Sequence, residues 1–211
     1  MSNQVPQQSL EGVTQAWVRT AARGDADGFA QLYEHIAPAV FTWASLRLRG
    51  DQLSLLDAGD LVQEVWLRAW RKIEDLDVEA TPFRFWIFRI AKNVLLEASR
   101  QARKPDRRGV GSGIGNPTGG DDLDPMAQVP DSITGVSRRM ARSEDLSRFK
   151  EAVEAMEAEE RKLVIHCGLE GLPLKEVGVR LGISEEAAGK RWQRLRAKLR
   201  TSELPRYLLA E

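Results

Sequence analysis

The chain has 211 residues, and its 31 Lys and Arg against 31 Asp and Glu leave a formal net charge of zero. Apolar residues make up 42%, enough for one large core or two small ones at roughly 100–200 residues per domain, and no apolar run approaches the roughly 20 residues that a bilayer crossing needs. The single cysteine, Cys167, excludes internal disulfides and cysteine-based zinc clusters; the polar start lacks a cationic head with an apolar follow-on, so a reducing cytoplasm is the expected compartment.

In chain order, residues 13–23 predict a short amphipathic helix that stops at Gly24. Asp25 or Asp27 caps the next, where Phe29, Leu32, Tyr33 and Ile36 recur at three- and four-residue spacing. Pro38 is expected to reset it, with residues 40–48 continuing to Gly50. Asp57 or Asp60 caps a third helix carrying Leu61, Val62, Val65, Trp66, Ala69, Trp70 and Ile73 at helical period. Pro82 suits the start of a fourth, over residues 83–103. Its aromatics, Phe83, Phe85, Trp86 and Phe88, point all round, and Phe85 and Phe88 are the expected core members.

Between Pro105 and Gly135 the composition changes to seven glycines and four prolines with almost no large apolar residue. Such a stretch suits neither a helix interior nor a central strand, and about thirty structureless residues inside one compact domain are implausible. The reading is therefore all-α, two small helical domains (residues 1–104 and 137–211) joined by a flexible Gly/Pro-rich linker (105–136). In the second domain, residues 146–156 predict one helix and 160–167 another, closed at Gly168. Leu174, Val177 and Leu181 then form an apolar stripe, Gly182 ends that helix, and Ser184 caps the last, with Glu185 and Glu186 in its dipole-favoured first turn. Ala188, Trp192, Leu195 and Leu199 make the buried stripe of this final helix. Helix, short glycine turn and basic helix is the helix-turn-helix pattern, whose second helix enters the major groove.

Neutrality hides blocks of charge. Residues 57–79 hold seven acids against three bases, and 84–108 eight bases against two acids. Residues 144–160 hold seven acids against two bases, and 190–200 six bases and no acid. A basic block is either a solvated face or a phosphate-binding one; the helix-turn-helix context favours DNA for the last.

The runs DLVQEVWLRAWR (60–71) and FRFWIFRIAKNVLLEASR (83–100), followed by the helix-turn-helix, resemble small bacterial sigma factors of RNA polymerase, the extracytoplasmic-function type of the sigma-70 superfamily. The resemblance covers roughly residues 29–104 and 138–200. It implies an initiation factor whose partners are core RNA polymerase, promoter DNA and an anti-sigma factor, with no cofactor, no metal, no small-molecule substrate and no membrane insertion. By resemblance, Asp60, Gln63, Glu64 and Arg71 dock on the polymerase clamp helices, though Asp60 also suits a plain helix cap. Trp86, Arg89, Lys92, Asn93 and Arg100 match the segment that opens and reads the −10 element. Melting needs cations for the backbone, a plane for stacking and an amide for a base edge; Asn93 is either that reader or a buried amide tying two helices. The acidic loop 74–81 (Glu74, Asp75, Asp77, Glu79) resembles the loop that selects the flipped base. Ser184, Lys190, Arg191, Gln193, Arg194 and Arg196 match the reader of the −35 element. Ala187, Ala188 and Gly189 depart from the Thr-Val-Lys-like run common there, and Gly189 is expected to cost about 1 kcal/mol of helix stability and a phosphate contact. In the linker, Asp121, Asp122, Asp124 and Asp131 would make the connector anionic near the RNA path.

An enzyme is not expected. His166 adjoins Cys167, but neighbours on a helix do not face each other, and P-loop, GxGxxG and HExxH motifs are absent. The competing readings are a stand-alone helix-turn-helix regulator and a helical protein–protein adaptor. A neutral chain is expected to bind duplex DNA poorly without polymerase.

Overall fold

The structure, a computed structural model, describes residues 10–48, 56–102, 140, 142–200 and 209. The expected linker and its aspartates lie outside the described residues. Those described are all-α: α1 (Leu10–Ala21), α2 (Ala26–Arg47), α3 (Ala58–Trp70), a 3-10 turn (Ile73–Asp75) and α4 (Phe83–Ala102) form one bundle. A second comprises α5 (Glu144–Glu154), α6 (Ala158–Leu163) running into a π-helical segment (Val164–Leu169), α7 (Leu174–Leu181) and α8 (Glu185–Arg200). Among the described residues no helix is long and apolar enough to cross a membrane.

Asp25 is the cap of α2, accepting from the Asp27 backbone N–H at 3.1 Å. Pro38 does not reset this helix, which runs unbroken through it. Proline removes one helical donor, but Ile36, Ala37, Ala39 and Val40 around it are all buried, and tertiary packing on several faces outweighs the lost bond. Asp57 caps α3 in a reciprocal box: its carboxylate accepts from Asp60 N–H at 2.8 Å, and that of Asp60 accepts from Asp57 N–H at 3.1 Å.

The first core is built around Trp66, fully buried on α3. Phe29 and Tyr33 of α2 meet it edge-on at 5.3 and 4.9 Å between ring centroids, and Phe83 of α4 lies at 6.0 Å. Such pairs add about 0.5–1.5 kcal/mol each beyond area burial. The aromatic assignment of α4 needs correction. Phe83, Trp86 and Phe88 are buried, whereas Phe85 is only half-buried. On the far side of α3, Arg68 makes a two-pronged bond to Glu97 of α4 (2.9 and 2.8 Å) and a third to Glu64 (2.6 Å). The Glu97 bond, opposed by partial burial, raises the guanidinium's pKa, and the same bond holds the Glu97 carboxyl below its ordinary value.

The second bundle departs from expectation at Gly168. The helix is not closed there; it widens into the π segment, continues to Leu169, and turns at Gly171 with φ of 64°. A Cβ at Gly168 would stand 3.1 Å from the Trp192 ring of α8 and 2.7 Å from Leu209, so glycine here permits close packing rather than chain reversal. The two bundles touch: α5 and the π segment pack on α2.

Candidate nucleic-acid and polymerase interface

The helix-turn-helix is formed as predicted. Gly182 ends α7 with φ of 68°, and Ser184 Oγ accepts from Ala187 N–H at 3.1 Å. Ala188, Trp192, Leu195 and Leu199 are buried beneath α8, while Lys190, Arg191, Gln193 and Arg194 are exposed and Arg196 is half-buried. Not all these cations are uncommitted. Lys190 pairs with Glu186 one turn earlier at 2.6 Å, and Arg191 and Lys198 pair with Glu159 and Glu160 of α6. All are exposed pairs, of the kind worth little and readily exchanged for phosphate.

The turn depends on Gly178. A Cβ there would stand 2.8 Å from the Ile183 carbonyl and 3.2 Å from the Glu185 nitrogen, both backbone. Gly178→Ala is therefore expected to cost about 1–3 kcal/mol by overpacking, read as a lower thermal midpoint. Gly189 contrasts. Its absent Cβ faces the Leu174 methyl at 3.2 Å, a flexible side-chain end rather than backbone. Gly189→Ala is expected to raise the midpoint through helix propensity; a lowered midpoint would contradict this.

On α4, Arg89, Asn93 and Arg100 are exposed, at positions four and seven residues apart that share a helix face. Asn93 is thus not a buried amide tying helices. Trp86, matched to the base-stacking position, is only 6% exposed and packs on Phe83; in this conformation it is a core residue, because α4 lays that face against the bundle. In the preceding loop, Asp77 accepts from the backbone N–H groups of Glu79 and Ala80 at 3.1 Å, which shapes the turn. On α3, Asp60 is exposed, Gln63 and Glu64 are half-buried, and Val62 and Trp66 lie on the buried side; just beyond its end Arg71 is exposed and Ile73, in the 3-10 turn, is buried.

Lys92 is drawn elsewhere. Its Nζ lies 2.8 Å from Oε2 of Glu170, a fully buried carboxylate in the loop after the π segment. That carboxylate also accepts from the Trp43 indole N–H (2.7 Å) and Arg47 (3.2 Å) of α2, and from His166 Nδ1 (3.0 Å). A carboxylate only accepts, so Nδ1 carries the proton. Burial pushes the Glu170 carboxyl up, but the His166 and Lys92 hydrogen bonds, the Lys92 charge and the Trp43 N–H together outweigh it and hold the group at about 2. Beside this cage, Arg84 Nε donates to the Leu169 carbonyl at 2.8 Å, with a second nitrogen 3.5 Å from that of Gly168. Burial pushes the Arg84 guanidinium down to about 10, so it stays charged at neutral pH. Sequence reasoning missed Glu170, Trp43, Arg47 and Arg84; the available signal was one acid inside the apolar run LVIHCGLEGLP. Cys167 is buried with its thiol pushed up to about 11 by desolvation, the opposite of an activated nucleophile.

Residues 32–104 match the sigma-70 region 2 family and residues 146–199 the sigma-70 region 4 family. Over 170 residues the chain is 31% identical to the ECF RNA polymerase sigma factor SigL of Mycobacterium tuberculosis, covering 81% of this chain and 85% of that protein. This chain belongs to the extracytoplasmic-function sigma factors. It is also 28% identical over 189 residues to RNA polymerase sigma factor NccH of Alcaligenes xylosoxydans xylosoxydans, covering 89% and 92% of the two chains. A solved structure of CnrH in complex with the cytosolic domain of CnrY shares 22% identity, covers 89% of this chain and 95% of that one, and gives a TM-score of 0.42. As a sigma factor, the chain binds core RNA polymerase and directs promoter transcription. Region 2 contains α3, α4 and most of α2, and region 4 contains α6, α7, α8 and most of α5.

Proposed function

We propose that residues 1–104 form the domain that docks on core polymerase and opens the −10 element, that residues 137–211 form the domain that reads the −35 element, and that residues 105–136 connect them. Asp60, Gln63, Glu64 and Arg71 supply polar contacts to polymerase. Arg89, Asn93 and Arg100 hold the separated strand and a base edge, and Lys190, Gln193 and Arg194 read duplex DNA, with Arg191 and Arg196 on phosphates. The observation that carries this reading is sidedness: α4 and α8 each combine an apolar buried face with an exposed face that holds cations and an amide, Arg89, Asn93 and Arg100 on α4 and Lys190, Gln193 and Arg194 on α8. The factor carries no chemistry of its own, works in the cytoplasm beside the polymerase, and has an anti-sigma protein as its further partner.

Transcription with purified core polymerase on genomic fragments, with start sites mapped, tests the reading. Core enzyme is expected to initiate accurately only when the factor is added; DNA binding without any effect on initiation would favour the stand-alone regulator instead. Arg194→Ala is expected to weaken a −35-dependent promoter by about 1–3 kcal/mol, the worth of a two-bond contact to guanine. The same variant should leave initiation on a template lacking that element unchanged. Equal losses on both templates would assign Arg194 to another role.

A further inference from the structure

The acidic block at residues 144–160 and the basic block at 190–200, separate in the chain, meet in the fold. Adjacent carboxylates on α6 take two cations of α8: Glu159 pairs with Arg191 and Glu160 with Lys198. Arg191 and Lys198 are seven residues apart, about two turns along one flank of α8. Arg194, between them in the helix, lines the same groove. The backbone that carries the two acids is fixed beside α8. Leu163 of α6 is buried, and the Arg161 guanidinium donates to the Glu154 and Met156 carbonyls at 2.8 and 3.0 Å, tying α6 to the end of α5.

This arrangement bears on how α8 distinguishes one duplex from another. A cation that neutralises a phosphate releases condensed counterions, and does so on any sequence. Arg191 and Lys198 reach a phosphate only by leaving a carboxylate. That carboxylate then stands within a Debye length, about 8–10 Å, of the phosphate and repels it. Phosphate contact by itself is thereby weakened. Base contacts by Gln193 and Arg194 are not, because they engage uncharged base edges.

We propose that Glu159 and Glu160 determine specificity by this competition. On duplex lacking the −35 element they keep Arg191 and Lys198; base contacts in a matching element draw the DNA backbone close enough to take both cations over. The proposal rests on the reading of α8 as the −35 helix.

The test uses holoenzyme whose full chain carries Glu159→Gln and Glu160→Gln together. The probes are a promoter fragment from the start-site mapping and the same fragment with its −35 element scrambled, each titrated against salt. On the scrambled fragment the double variant is expected to steepen the slope of log affinity against log salt by about 0.9 per freed cation, about 1.8 for both. Between about 200 and 50 mM salt, that slope adds a roughly tenfold gain in affinity. On the intact promoter the slope should not change, since both cations already meet phosphate there. Glu159→Gln alone should give half the effect, and it decides if the double variant loses helical circular dichroism. Glu151→Gln with Glu154→Gln makes the same charge change on α5 and should move neither slope. An unchanged slope on scrambled DNA, an equal change on both fragments, or an equal effect of the α5 pair overturns the proposal. Weaker binding to the intact promoter also overturns it, since the glutamates would then be positioning Arg191 rather than competing for it. Failure of the −35 reading looks different: Arg194→Ala would then leave the preference between the two fragments intact.

Discussion

Alanine at both Arg89 and Asn93 is expected to cut open-complex formation on a cognate promoter by on the order of a hundredfold. Opening a duplex requires the protein to stabilise what unpairing exposes. A stacked or hydrogen-bonded base and a cation on the freed backbone contribute about 1–3 kcal/mol each, so losing both removes about 3 kcal/mol, and each 1.4 kcal/mol is tenfold. Permanganate reactivity of −10 thymines, measured with holoenzyme, reads the effect. Both side chains are exposed, so the thermal midpoint of the double variant should match that of the unaltered protein. A stable variant that still melts DNA normally would remove α4 from the melting step.

Trp66→Ala is expected to have the largest effect on stability. The indole is fully buried and ringed by Phe29, Tyr33 and Phe83 from two other helices. Truncating such a residue costs about 3–5 kcal/mol, because the cavity left behind collapses only in part. A domain of this size loses roughly 4–8 °C of midpoint per kcal/mol, so calorimetry should show the first bundle melting roughly 15–30 °C lower. Trp17, half-buried and edge-on to His35 at 5.7 Å, makes the comparison. Trp17→Ala should lower the midpoint by much less, and equal effects would refute the placement of the core around Trp66.

Where the chain's local chemistry and its packing agree, the sequence was readable. Asp57 before an apolar 3.6-residue pattern, and Gly182 followed by Ser184, specify caps and a turn through groups a few residues apart, and the structure forms them. The resemblance of residues 60–71 and 83–100 to sigma factors held because those runs form amphipathic helices with polar outer faces. The unread parts depend on distant partners. Pro38 ends a helix by local rules, yet α2 is packed from several sides and continues. The split between Phe85 and Trp86 follows from how α4 lies on its neighbours, which periodicity alone does not decide when aromatics occupy every face. Glu170 takes its role from Trp43, 127 residues earlier, and no pattern within its own segment names that partner.

The π segment gives the chain a local tolerance to length. An α turn closes on i to i+4 bonds and a π turn on i to i+5, so a deletion of one residue from 164–169 that restores ordinary winding would leave the turns on either side close to their present phase. α8 has no such slack. An α-helix advances 100° per residue, so a one-codon deletion in the middle of α8 would rotate every residue beyond it by about that angle, carrying Leu195 and Leu199 out of the core and bringing charged neighbours in.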